Sequence, residues 1–575
     1  MLSRLKQGAT RRFAIDTRSL AAFRIALGLL VVADVLLRLR NFEFFYTDSG
    51  AVPVSLGREL TPDYAFSVFF LSGSPSVAFA LFIAHLLVGI ALIVGYHTRV
   101  VAVLAFVFVI SLDVRNPLVT SYADTLFRYL IFWAMFLPLG KRFSLDAIRS
   151  TERPPETVTR LAGAFVLLQM IAMYVANGSH KIPRRDEWFD GTALYGTLHY
   201  DSVSWLLGPH IREIEPLMLV GSAMWYTLML SAPMLLLFAG RARYFAAAMY
   251  AGGHGFMALT VRIGAFPYVA MAGLVLFCQP RAWGDLRWVA ARLGVLARID
   301  RAVGTVAEYG AEVDRRLPRA TLPERPSVER LRVPATVLVM FIVITSGVFM
   351  ITPILGTVGA MDEETTVPLE SEVQSLQANF RLDQPPWRFY QGAMRSDEYY
   401  VFVGSTAAGE TVDVYNDRPM AWDRPHGHYN YKQLDTYRER FYMASVEAWA
   451  DPDYSDGPED RYAAYLCETY RGGGAELTGL NMYVIEERVD LENASDYESY
   501  DREATLIHAH GCGDNEPRDI ELPPPAYTPT LDDDAREAIE REDDRRYIDE
   551  VRPDPIPAAH VSTPAEATPR VGPPT

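Results

Sequence analysis

Residues 19–38 read SLAAFRIALGLLVVADVLLR, a run whose only charged side chains are Arg24, Asp34 and Arg38. A helix needs ~20 mostly apolar residues to cross a bilayer core, so this stretch places the chain among membrane proteins. Further apolar runs follow near 76–96, 99–114, 122–140, 157–177, 215–239, 243–261, 264–280 and 333–355, which predicts nine spans. The N-terminus is basic, but the run behind it lacks a small-residue cleavage site, so no removable signal peptide is expected.

Basic residues set the orientation, because cytosolic loops carry the excess of Lys and Arg. The N-terminus, the turn at Arg99, the loop with Lys141, Arg142, Arg149 and Arg153, the turn Arg241–Arg243 and the Arg-rich segment 281–332 all fall on one side if there are nine spans. The reading is a multi-pass cell-membrane protein with a cytosolic N-terminus and an extracytosolic C-terminal domain. Loop 178–214 is the exception, with Lys181, Arg184, Arg185 and Arg212 on the outer side.

Charge divides the chain as hydropathy does. Residues 351–575 carry 46 acidic and 19 basic side chains, against 24 and 35 in residues 1–350. An anionic polar half attached to a cationic apolar half fits a water-facing domain on a membrane domain. The acidic, Lys-poor composition is of the salt-adapted kind, and it excludes nucleic acid as a partner because phosphates would be repelled. The expected partners are the lipid bilayer and an exported protein or peptide.

The fold class expected is therefore an α-helical polytopic membrane domain over residues 1–356, then an extracytosolic, mixed, β-containing domain over 357–522 and a disordered acidic, Pro-rich tail over 523–575. Tyr399–Gly404 and Glu410–Tyr415 read as a hairpin, Asn481–Val489 and Ala504–His510 as further strands, and Tyr431–Ala450 and Asp460–Tyr470 as helices. Cys467 and Cys512 fit a disulfide if this half faces an oxidising compartment. Alternatively His508, His510 and Cys512, alternating along one strand, would share a face and hold a metal with His426 or His428. No CxxC or HExxH spacing supports that second reading, and no metal is predicted.

Ionisable groups inside spans cost ~2.5–3.5 kcal/mol each on insertion scales, so each one calls for a partner or a task. With the topology above, Asp34, Asp113, Asn116, Asp124, Arg128, His180, Lys181 and His254 all converge on the outer leaflet, with Trp188 beside them. Asp124 and Arg128, spaced i, i+4, are placed to neutralise each other, and Arg262 reads as an interfacial anchor. His85 is the one mid-span candidate, so no polar track reaches the cytosol as a transporter would need. Lys181 stands apart because the chain has four lysines, Lys6, Lys141, Lys181 and Lys432, and otherwise uses arginine. Guanidinium cannot lose its proton in a protein, whereas a desolvated lysine can act as a base near neutral pH.

Many short motifs, in order, resemble one family. They are Phe23–Arg24 to Gly28 with Asp34, Tyr46 to Gly50 with Pro53, Arg115–Asn116–Pro117 with Asp124, Phe136 to Gly140 with Ser144–Leu145–Asp146, and His180–Lys181–Ile182 followed by Trp188 to Gly191. His254, Ile263 to Phe266, Trp387–Arg388–Phe389 and Trp422 to Pro425 extend the series. Together they are similar to the horizontally transferred transmembrane (HTTM) superfamily, which includes vitamin K-dependent γ-glutamyl carboxylase. The resemblance implies a γ-carboxylase-like activity with Lys181 as base on a vitamin K or menaquinone hydroquinone, and with carbon dioxide and oxygen as co-substrates. The carboxylase has a histidine in the segment matching Tyr122–Asp124. Here Asp124 stands in that neighbourhood, where a carboxylate would hold Lys181 protonated. The alternative is a non-enzymatic, membrane-anchored extracytosolic binding module.

Overall fold

A computed structural model describes residues 10–62, 65–316, 389–449, 457–472, 476–518 and 520. The N-terminal part is mainly helical. Its principal helices are α1 (Thr17–Arg38), α2 (Pro75–Val94), α3 (Thr98–Arg115), α4 (Tyr122–Ala134), α5 (Leu161–His180), α6 (Arg185–Asp190), α7 (Thr192–His199), α8 (Glu215–Leu230), α9 (Arg241–Thr260), α10 (Phe266–Leu274), α11 (Pro280–Arg292) and α12 (Leu296–Arg316). Local chemistry sets their ends. Asp16 caps α1 by accepting from the Arg18 amide, and α2 begins on Pro75 and stops at Gly95, which takes the left-handed conformation that favours glycine. Helices α1 and α2 cross closely because Gly28 and Gly89 lie where a Cβ would strike the neighbouring helix, at 2.6 Å from Ile93 and 2.8 Å from Val31. A short ribbon of β1 (Ile15–Asp16) and β2 (Thr157–Val158) ties the entries of α1 and α5 together.

Each of the first eight predicted spans overlaps a helix, but the helices are not equally long and several cover only part of the span. Among the described residues three helices are long and apolar enough to cross a membrane: Thr17–Tyr46, Pro75–Val94 and Leu161–His180, with Phe266–Phe277 a shorter apolar helix. The predicted span 122–140 is interrupted, since α4 has 13 residues and covers about 20 Å. Its apolar sequence continues, but Pro138 and Gly140 turn the chain. The predicted span 333–355, the boundary at 356 and the tail from 523 lie outside the described residues.

Helices α11 and α12 differ from the rest. Leu286, Trp288, Val289, Leu293, Ile299, Val303, Val306 and Tyr309 are exposed along them, between Arg281, Arg287, Arg292, Arg298 and Arg301.

The C-terminal part is an antiparallel sheet of β3 (Ser396–Thr406), β4 (Thr411–Asp413), β5 (Arg418–Pro419), β6 (Leu477–Arg488) and β7 (Asp501–Gly511) in the order β5-β4-β3-β6-β7. The predicted hairpin is β3–β4, with Val403 opposite Asp413. Helix α14 (Pro458–Thr469) is packed against β6 and β7, and α13 (Tyr437–Ala448) against α14. Helix α13 opens with a capping box between Thr436 and Glu439. Cys467 on α14 and Cys512 just after β7 are joined by a disulfide, Cα to Cα 5.5 Å, so Cys512 is not a free thiolate for a metal.

The two parts share one core. Val35, Phe45, Phe82 and Leu112 from the helical part and Phe402, Tyr442, Tyr462 and Met482 from the sheet part belong to a single apolar cluster. Phe44 meets Tyr442 and Tyr462 edge to face at 5.3 and 5.7 Å, and Phe45 meets Tyr442 at 5.3 Å.

Candidate functional site

The predicted polar residues divide into two neighbouring groups. In the first, Arg38 at the end of α1 is 2% exposed and donates to Asp34 at 2.9 Å, Asp113 at 3.0 Å, Asp124 at 3.2 Å and the Tyr46 hydroxyl at 2.8 Å. Arg438 enters from α13 and donates to Asp34 at 2.5 Å, to Asp124 at 2.7 Å and to the Val119 carbonyl at 2.9 Å. Arg128 lies 3.6 Å from Asp113 and donates to Thr125 Oγ1 at 3.0 Å. Three carboxylates thus meet three guanidiniums, and the set is neutral.

This corrects two sequence readings. Asp124 does not pair with Arg128 along α4. It is the third residue of that helix and turns back to accept from the Ser121 amide and hydroxyl, both at 2.8 Å, in a capping box. Its oxygens then serve Arg38 and Arg438, where the sequence suggested that it would hold Lys181. Arg262, expected as a lipid anchor, donates to the carbonyls of Tyr431 and Leu434 in the sheet part.

The second group surrounds Lys181. This residue caps the C-terminus of α5 and is 1% exposed. Its Nζ donates to the Phe389 carbonyl and lies 5.0 Å from the centre of the Trp188 ring. The Trp188 indole in turn donates to the Gln391 carbonyl at 2.8 Å, and Glu187 accepts from the Ala393 amide at 2.7 Å. The segment leading into β3 is therefore fastened across the α5–α6 corner. Phe389 also meets Tyr122 and Phe266 at 4.6 and 4.5 Å, and Phe266 meets His254 at 5.8 Å. His254, fully buried on α9, shares a 2.7 Å hydrogen bond with the Tyr174 hydroxyl and has Trp225 at 5.3 Å. An amine and an imidazole thus share one aromatic enclosure. The two groups adjoin through the first turn of α4, which gives Tyr122 to one and Asp124 to the other.

Three predicted residues lie apart from these contacts. Asn116 is buried and donates to the Phe45 carbonyl at 3.4 Å. His180 is half-buried at the end of α5, and His85 stacks on Phe108 at 5.1 Å. Sequence reasoning missed Arg38, Arg438 and Tyr46. Arg38 had a signal, its i+4 spacing from Asp34, whereas Arg438 is 404 residues from Asp34 and had none.

A second buried charge set lies farther into the sheet part. Arg424, with a fully buried side chain, pairs with Asp201 at 2.8 Å, with Asp397 at 3.1 Å and with Glu487. Arg212 is 2.9 Å from Asp201, and Arg502 is 2.7 Å from Glu487. Ser202 donates to Asp397, Asn430 lies beside it at 3.4 Å, and His428 is 3.7 Å from Asp201. Burial pushes the Asp397 carboxyl up to about 7, against the opposing pull of Arg424.

Comparison with known proteins found no match among curated proteins and none among solved structures. Residues 13–283, which contain Lys181 and all of the six-charge set except Arg438, match the family model of the HTTM domain.

Proposed function

We propose that this protein is a membrane enzyme that modifies an exported protein or peptide in a quinol-dependent, γ-carboxylase-like reaction, with Lys181 as base. The observation that carries the reading is the placement of Lys181. A buried amine stands at a helix end among Trp188, Phe389, Tyr122 and Phe266, in a chain that uses arginine at nearly every other basic position. In this reading the helices lie in the bilayer and Lys181 is near its outer face. The sheet part lies outside the cytosol, where an exported substrate can reach it.

A hydroquinone is a flat, largely apolar ring with two hydroxyls, and the aromatic enclosure offers ring faces and edges beside a nitrogen. Vitamin K or menaquinone hydroquinone therefore fits the residues present. When bound, it would supply reducing equivalents to oxygen, and carbon dioxide would be the carbon donor. The work of the protein is to orient the ring on its aromatics and to take a hydroxyl proton onto Lys181 Nζ. Trp188 fixes the direction of the amine. The Phe389 carbonyl accepts one N–H of the amine, which leaves the lone pair for the hydroxyl proton.

The test is oxygen uptake by the purified protein in lipid with menaquinol. Lys181→Arg keeps the charge but cannot yield the proton, and should lower turnover by about 100-fold or more at an unchanged membrane level. Equal turnover in the two proteins would dismiss Lys181 as base. Absence of quinol-dependent uptake in the unsubstituted protein would favour the second reading, an anchored binding module. That reading draws on Arg438, whose contacts fix the sheet part rigidly to the helices.

A further inference from the structure

The sheet edge carries a cluster that the reaction above does not use. His508 and His510 lie on β7, opposite Met482 and Leu480 of β6, on the sheet face that α14 covers. One extra residue in β7, between the pairs Tyr483–Leu506 and Met482–His508, marks a β-bulge just before the first histidine. Bulges of this kind re-aim side chains, and they are common beside functional sites. From α14, Asp460 reaches the same point. Its Oδ1 is 2.9 Å from His510 Nδ1 and 3.4 Å from His508 Nε2. One ligand atom from each of the three side chains lies within 4.8 Å of the other two. His508 Nε2 is buried and makes no hydrogen bond among the described residues.

We propose that Asp460, His508 and His510 form a site for a borderline divalent metal ion of the zinc class, with a fourth position open to water or to an incoming carboxylate. The donor set decides the class. Two imidazoles and one carboxylate suit zinc, cobalt or nickel, whereas calcium and magnesium take oxygen ligands. Bonds of about 2.0–2.1 Å set tetrahedral neighbours roughly 3.3 Å apart, close to the two separations from Asp460 Oδ1. The three side chains are half-buried, which leaves one side of the ion accessible.

The disulfide supports the site. Cys467 is seven residues after Asp460 on α14, and Cys512 is two residues after His510. The covalent link therefore joins the two elements that carry the ligands and holds them in register without metal. The ion adds a second link beside it. The site does not depend on the role of Lys181.

The experiment uses the full chain, purified without a polyhistidine tag, stripped with a chelator and titrated with Co(II) alone. One equivalent should bind with visible d–d absorption that zinc abolishes. His508→Gln and His510→Gln should each weaken binding by at least the about 10–100-fold that loss of a supporting group alone costs. Asp460→Asn, which keeps both imidazoles, should weaken it less. His428→Gln, a histidine near Asp201, should leave it unchanged. Thermal unfolding should shift upward with zinc in the unsubstituted chain and stay still in the two Gln variants. No stoichiometric Co(II) binding by the unsubstituted chain would overturn the proposal. So would full binding in folded His508→Gln and His510→Gln proteins.

Discussion

Two buried charge sets fasten the sheet part to the helices, and both consist of three carboxylates with three guanidiniums. They differ in how the charges are shared. Around Arg38 and Arg438 the load is distributed, since Asp34 and Asp124 each meet both arginines and Asp113 meets Arg38 and Arg128. Around Arg424 a single guanidinium serves Asp201, Asp397 and Glu487, with Arg212 and Arg502 at the margins. Equal counts therefore do not mean equal compensation. Asp397 pairs with the hub alone among these arginines, and burial raises it to about 7.

The largest effect should come from removing the hub. Arg424→Met leaves three buried carboxylates with two marginal partners and should destabilise the protein by about 3–5 kcal/mol, read from thermal unfolding in detergent. Stability within error of the unsubstituted chain would break the comparison at its root. A smaller loss, about 2 kcal/mol, is expected for Arg438→Met, because Arg38 still holds Asp34 and Asp124. If the two losses came out in reverse order, distribution of charge would not be the deciding property.

The smallest effect sharpens the contrast through pH. Asp397 has a folded value above its unfolded one, so the native state holds the proton more tightly. Its stabilising contribution is present below about pH 4 and is lost as pH rises through about 7. Asp397→Asn should remove this part of the loss between pH 5 and pH 6, by ~1 kcal/mol, with His428, Asp201 and Glu487 still in place. Parallel unfolding curves for both proteins at the two pH values would show that Asp397 does not titrate in that window.

These networks also show what a single sequence can disclose. Apolar runs announced the helices, because burial of such lengths has few other outcomes. Their usable length was less visible, as α4 shows by ending at Ala134 while its apolar sequence continues. The strands of the sheet were legible in outline, but their order placed β6 between β3 and β7 through pairings that no local pattern encodes. Asp34, Asp124 and Arg128 were recognised as costly charges, yet their partners were assigned by proximity along the chain. The partners of Asp124 are Arg38 of α1 and Arg438 of α13, because the capping box turns its carboxylate away from Arg128. Lys181 was singled out by residue choice and, with Trp188, by the family resemblance, whereas the Phe389 carbonyl that meets Lys181 required the fold.

The shared aromatic core has a consequence for how such a protein can be made and inherited. Phe44 and Phe45 of the helical part are inserted among Tyr442, Tyr462 and Tyr465 of the sheet part. A ribosome delivers these halves hundreds of residues apart, so the second must await the first as a template and cannot mature as a free-standing unit. Grafting residues 389–520 onto an unrelated anchor would leave a sticky aromatic face without its counterpart. Recombination at the end of the HTTM match, residue 283, would sever that seam, so the two halves are best inherited together.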